Sequence, residues 1–264
     1  MPAKRSQQNV GASRTSISPS NRKGILYVVA VSLGHPDDVT LRAVRTLRDV
    51  DLIASEDPKI TQALLMYHGI QTTVTSYGPR NLKEKAAVLV QRLRQGIDVA
   101  LVSDCGSPLV ADPGSFLVAA AHAHDIPVVP IPGPSAIITA LTAAGFSCDS
   151  FYFFGHLPSA SARTIQSLID SIKRRGPTVA FCTGTVVPHI LKAISPRCSV
   201  AVAYDMTKPN ERIIRGTVGE VLERLSPAGG GDVTIVFGEK TGTDSNAQGV
   251  RRSQSLSSRR INTR

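Results

Sequence analysis

Five short apolar runs, each followed by a loop and a segment of helical period, constrain the first half of this chain. The runs cover residues 25–31, 52–55, 72–76, 99–103 and 128–131. Between them, segments 39–50, 60–67, 83–95 and 116–124 repeat apolar residues at the spacing of a helix that buries one face. Val39, Leu41, Ala43, Val44, Leu47 and Val50 form one such series, with Asp37 or Asp38 expected to cap it. Strand and helix alternating through short loops predict an α/β domain with a mainly parallel sheet.

The pattern changes near residue 134. Residues 136–144 read as a helix of small residues, and strand candidates then crowd together at 151–154, 178–182, 199–204, 211–216 and 232–237. Beyond residue 144, helices are expected at 164–174 and 218–225. More strands and fewer helices predict a second α/β domain with a mixed α+β sheet. The expected division is a basic tail at 1–23, domains at 24–133 and 134–240, and a second basic tail at 241–264. Both tails are poor in apolar residues, which argues for disorder.

The net charge of +10 resides in those ends. Residues 1–23 carry five basic and no acidic residues, and residues 240–264 carry six basic residues and Asp244. The body between them balances 19 basic against 19 acidic residues. The ends therefore act either as salt-sensitive RNA contacts or as solubilising tails. No apolar run approaches the roughly 18 residues of a membrane span. Cys105, Cys148, Cys182 and Cys198 lack metal-ligand spacing and are expected as reduced thiols of a cytoplasmic protein.

The loop 103–114, Ser-Asp-Cys-Gly-Ser-Pro-Leu-Val-Ala-Asp-Pro-Gly, has an unusual backbone demand. In an open α/β sheet, ligands bind beyond the carboxyl ends of strands, where this loop falls. Neither glycine fingerprint for nucleotide phosphates is present, nor a Gly-x-Ser-x-Gly nucleophile elbow. The acids Glu56, Asp57, Asp104 and Asp112 also follow strands, where each can bind a ligand or cap a helix.

The loops taken in order carry a resemblance. Gly34 with Asp38-Val39-Thr40-Leu41-Arg42-Ala43, then Asp51-Leu52-Ile53-Ala54-x-Glu56-Asp57, then Ser103-Asp104-x-Gly106-x-Pro108 with Asp112-Pro113-Gly114, then Pro132-Gly133-Pro134-Ser135-Ala136 resemble the tetrapyrrole methylase superfamily. Within it they are most similar to the branch that methylates the ribose of a cytidine in small-subunit ribosomal RNA. The resemblance spans residues 24–239 and leaves out both tails. It implies two α/β domains with S-adenosyl-L-methionine in the cleft between them, in a homodimer. It further implies cofactor contacts from Leu33, Asp104, Gly106, Ser107, Pro108, Val110, Pro134, Ser135 and Ala136. The implied partner is ribosomal RNA or the small subunit, with no membrane. A ribose hydroxyl is a poor nucleophile that needs its proton accepted or its pKa lowered. Asp57, Lys208 and His189 are the catalytic candidates at or near family positions.

The chain departs from that branch on the acceptor side. Glu-Asp-Thr-Arg-His-Thr of the branch is Glu56-Asp57-Pro58-Lys59-Ile60-Thr61 here, and His-Glu-His-Asn is Gly78-Pro79-Arg80-Asn81. Glu-Ser-Pro-His-Arg is replaced over residues 183–190, and Arg-Glu-Leu-Thr-Lys reads Tyr204-Asp205-Met206-Thr207-Lys208. These losses leave two alternatives open: a tetrapyrrole or corrinoid C-methyltransferase of the same fold, and a non-catalytic cofactor- or RNA-binding paralogue.

Overall fold

The computed structural model describes residues 22–79, 82–225 and 230–238. The two tails lie outside the described residues, except Arg22 and Lys23. Arg22 pairs with Asp98 at 3.3 Å, and Lys23 donates to the His124 carbonyl at 2.8 Å. Arg80 and Asn81 also lie outside.

The first sheet contains β1 (Leu26–Val29), β2 (Leu52–Ser55), β3 (Val74–Ser76), β4 (Val99–Val102) and β5 (Val128–Ile131), in the order β3-β2-β4-β1-β5. Every pairing is parallel. β2 and β4 are buried at all positions, as apolar runs covered on both faces must be. One face is covered by α1 (Leu41–Asp49) and α2 (Pro58–Tyr67), where Ala43, Leu47 and Leu65 pack on Val29, Ile53 and Ala100. The other is covered by α3 (Leu82–Arg94) and α4 (Ser115–Ala123), where Leu89, Leu93 and Leu117 meet Leu26, Leu52 and Leu101. The chain leaves β1 toward β2 and leaves β4 toward β5. That reversal between neighbouring strands opens a crevice above their carboxyl ends.

The second sheet contains β6 (Tyr152–His156), β7 (Thr178–Thr183), β8 (Ser199–Tyr204), β9 (Arg212–Thr217) and β10 (Asp232–Phe237), in the order β6-β7-β10-β8-β9. Only β6 and β7 pair in parallel; the other three pairings are antiparallel. α6 (Ala162–Ile172), α7 (Val187–Lys192) and α8 (Val218–Arg224) cover one face. α5 (Ala136–Ala144) covers the other through Ile137, Ala140 and Leu141 against Val179, Ala201 and Val236.

Two local expectations change. The cap of α1 is Thr40, whose hydroxyl accepts from the Ala43 amide at 3.1 Å. Asp37 and Asp38 instead sit in a 3-10 turn (Pro36–Asp38) capped by His35. A β-region Thr next to the first helical residue satisfies an orphan amide that acids two or three residues earlier cannot reach. α7 was not expected. It has only six residues, too few to show a period, and is held by burial of Val187, Ile190 and Leu191. Among the described residues no helix is long and apolar enough to cross a membrane.

Candidate active site

The crevice lies where the carboxyl ends of the first sheet face one end of the second. Loops after β1, β4 and β5 supply Leu33, Gly106, Ser107, Val110, Asp112, Ser135 and Ala136. The second domain supplies His156 from the end of β6, Thr183 from the end of β7, Met206 and Lys208 after β8, and Asp232 and Thr234 from the start of β10. Antiparallel pairing brings these together, since the first residue of β10, Asp232, lies opposite Thr183, the last of β7. The cleft encloses about 200 Å³, or about 900 Å³ with its open mouth.

Backbone hydrogen bonds tie its walls together. The Val31 amide donates to the Gly106 carbonyl at 2.9 Å, and the Gly106 amide donates to the Ser32 carbonyl at 3.1 Å. The Ser107 hydroxyl donates to the Pro134 carbonyl at 2.9 Å. Gly106 has φ +70°, and a β-carbon there would lie 2.9 Å from Leu33 Cδ2. Leu109 and Ala111 also hold positive φ, at 73° and 66°. Non-glycine residues in this region are strained, and such strain concentrates at ligand sites. Across the cleft, Asp205 and Thr207 show the same feature, at 45° and 65°. There the Thr207 hydroxyl accepts from the His35 amide at 3.0 Å, joining the two domains.

Lys208 sits between carboxylates, with Nζ 2.9 Å from Asp232 and 3.4 Å from Asp205. The hydrogen bond to Asp232, with Asp205 assisting, raises its pKa above the ordinary lysine value against the opposing effect of burial. It remains an ammonium throughout the neutral range. Asp112 is pushed up to about 6, chiefly by burial, with Asp104 assisting and a hydrogen bond from Ser103 opposing. Glu56 is pushed up to about 7 by burial and by the neighbouring Asp104, Asp112 and Asp57 carboxylates. The Cys105 thiol beside them is exposed at the cleft.

Of the residues expected at the site, Leu33, Gly106, Ser107, Val110, Ser135, Ala136 and Lys208 line the cleft. Pro134 stands directly behind, through its carbonyl. Pro108 belongs to the same loop without lining the cleft. Asp104 braces the acidic loop, its Oδ1 accepting from the Asp57 amide at 2.9 Å. Asp57 is the N-cap of α2, accepting from the Lys59 amide at 2.8 Å. His189 is exposed on α7 and does not line the cleft. The structure adds Cys105, Asp112, His156, Met206 and Asp232 to the lining. Asp112 carried a strand-end signal in the sequence. His156 and Asp232 carried none, because their proximity depends on the order of the second sheet.

A partly enclosed cleft between two α/β domains, at a topological switch point, is the architecture of a small-molecule-binding enzyme. The chain belongs to the tetrapyrrole (corrin/porphyrin) methylases, whose family model matches residues 25–222. It is a methyltransferase of that family. It is 37% identical over 207 residues to the ribosomal RNA small subunit methyltransferase I of Haemophilus influenzae, covering 76% of this chain and 73% of that protein. It is 35% identical over 225 residues to the protein of the same name from Thermotoga maritima, covering 82% and 99%. Among solved structures it resembles a cobalt precorrin-4 methyltransferase (TM-score 0.62, 20% identity, covering 81% of this chain and 94% of that one). It also resembles a diphthine synthase (TM-score 0.66, 15% identity, covering 81% and 90%). At those identities the likeness concerns the fold.

Proposed function

We propose that this protein binds S-adenosyl-L-methionine in the cleft and methylates the ribose 2'-hydroxyl of a cytidine in small-subunit ribosomal RNA. The observation that carries the acceptor is the 35% and 37% identity to proteins named for that RNA, over at least three quarters of the chain. The likeness to the solved cobalt precorrin-4 methyltransferase, at 20% identity, concerns the fold and supplies no acceptor.

The lining fits the cofactor. Leu33, Val110, Ile137 and Met206 offer apolar surface for an adenine ring. The bare Gly106 backbone allows close approach, and Ser107 and Ser135 stand beside it. Asp112 supplies negative charge suited to a cationic ligand, whereas the charge of Asp232 is taken up by Lys208. When bound, the cofactor supplies the electrophilic methyl group. The chain's own residues hold the acceptor in line and exclude water. Asp112, deprotonated above about pH 6, is suited to accept the hydroxyl proton. The fixed Lys208 ammonium stabilises negative charge developing on the acceptor oxygen. The proposal includes a cytoplasmic homodimer, as the family resemblance implies, which sedimentation of the full chain would test.

The test is transfer of radiolabelled methyl to purified small ribosomal subunits, with a porphyrinoid panel in parallel. Label is expected in the subunit RNA, and none when the target nucleotide is 2'-deoxy. Label in the porphyrinoid alone would establish a tetrapyrrole acceptor. Absence of cofactor binding by calorimetry would overturn both.

A further inference from the structure

The β6 strand joins two features that the reaction site does not explain. It is an edge strand of the second sheet, so one side of its backbone is unpaired among the described residues. Its last residue, His156, lines the cleft. Its first residue, Tyr152, lies at the opposite end, beneath the Arg174 guanidinium, which stacks 4.8 Å from the ring centroid. Arg174 is exposed and falls in the run Lys173-Arg174-Arg175, three consecutive exposed cations. Among the described residues, only Lys173 of these forms an ion pair with an acid, Asp170 at 3.1 Å. The cations rim a hollow of about 550 Å³ floored by Ile169, Ile172 and Ile194. Between the two ends run Phe153, Phe154 and Gly155, each partly exposed.

We infer that β6 is the track along which a single strand of the substrate RNA reaches the cleft, with Arg174 and Arg175 gripping its phosphates. This deepens the ribosomal RNA reading above and rests on it. Single-stranded RNA is held by cations that follow the backbone and by flat surfaces on which bases stack. A guanidinium already stacked on a tyrosine is held in one orientation, so little freedom is lost when a phosphate binds. Tyr152 to His156 spans about 13 Å at the rise of an extended strand. That is on the order of two nucleotides, so a phosphate at Arg174 and a nucleoside at the cleft mouth belong to one short segment. The folded body has no net charge, so a local cluster of exposed cations marks a position rather than general attraction.

The experiment uses the full chain, with small ribosomal subunits prepared without this methylation as the probe. Binding is measured across a salt series for the wild type, Arg174→Ala/Arg175→Ala and Arg174→Glu/Arg175→Glu. The alanine pair is expected to bind roughly tenfold more weakly, with a salt slope reduced by about 1.4 for two lost phosphate contacts. The glutamate pair is expected to bind more weakly still. Cofactor affinity by calorimetry and Tm are expected to match the wild type. If both variants bind subunits and respond to salt as the wild type does, while the wild type methylates them, the track is overturned and the substrate reading stands. If the wild type transfers no methyl to subunits, the substrate reading fails and the track falls with it. A change in oligomeric state on substitution would overturn the proposal by assigning the cluster to self-association.

Discussion

Gly34 and Lys208 meet across the two domains. A β-carbon built on Gly34 would lie 2.5 Å from Lys208 Cγ, with Thr207 Oγ1 at 3.1 Å and the Met206 carbonyl at 3.3 Å. The first-domain loop therefore sets the position of the lysine stem, and the Asp232 and Asp205 carboxylates set that of its charge. Gly34→Ala is expected to push the 206–208 loop outward, an overpacking cost of about 1–3 kcal/mol. Cofactor affinity by calorimetry should fall in proportion. Unchanged affinity would show that the loop adjusts without cost.

Replacing Lys208 tests its charge. Lys208→Met is expected to lower methyl transfer by roughly tenfold or more, as loss of a fixed electrostatic group does. Cofactor affinity should change less. The lysine's raised pKa contributes stability that is present in full below its ordinary value and is lost as pH rises through the folded value. The wild type should therefore show no loss of rate from this group anywhere in the neutral range. A pH-rate profile with an alkaline limb near 8 that disappears in Lys208→Met would contradict this assignment.

Glu56 should make the fold less stable as pH rises. Its folded pKa, about 7, lies above the ordinary 4.5, so between those values the native state binds more protons than the unfolded chain. Stability falls with pH through that window and levels off above it. Glu56 is partly exposed, so solvent reduces the effect. Glu56→Gln is expected to raise Tm by roughly 2–4 °C at pH 8 and to leave it unchanged at pH 4. Thermal melts at the two pH values decide the matter.

Asp57 separates capping from chemistry. Asparagine caps a helix as well as aspartate does, whereas alanine costs about 1 kcal/mol. Asp57 holds the first turn of α2 and does not line the cleft. Asp57→Asn is therefore expected to retain both Tm and methyl transfer, and Asp57→Ala to lose stability alone. Loss of transfer in the asparagine variant at unchanged Tm would restore a proton-accepting role.

Gly106 combines two constraints. Its φ of +70° costs any other residue about 1–2 kcal/mol, and a side chain there meets Leu33. Gly106→Ala is expected to lower both stability and cofactor affinity. A melt and a titration on the same preparation would show whether the two fall together.

The sequence determined the local elements because each depends on near neighbours. The apolar runs at 52–55 and 128–131 and the patterned helix after residue 82 were legible to within a residue or two. The glycines and prolines of the 103–114 loop marked it as a ligand-side wall. α7 was not legible, because six residues cannot display a period. Only the tertiary structure decided which residues face one another. Strand order placed Asp232 opposite Thr183, and close interdomain contact placed Lys208 on Gly34. It also left His189 on an outer helix surface. Those outcomes depend on contacts between residues up to 174 positions apart, such as Gly34 and Lys208. Residue periodicity reports only which face is buried, whereas sheet order and domain packing determine what that face meets.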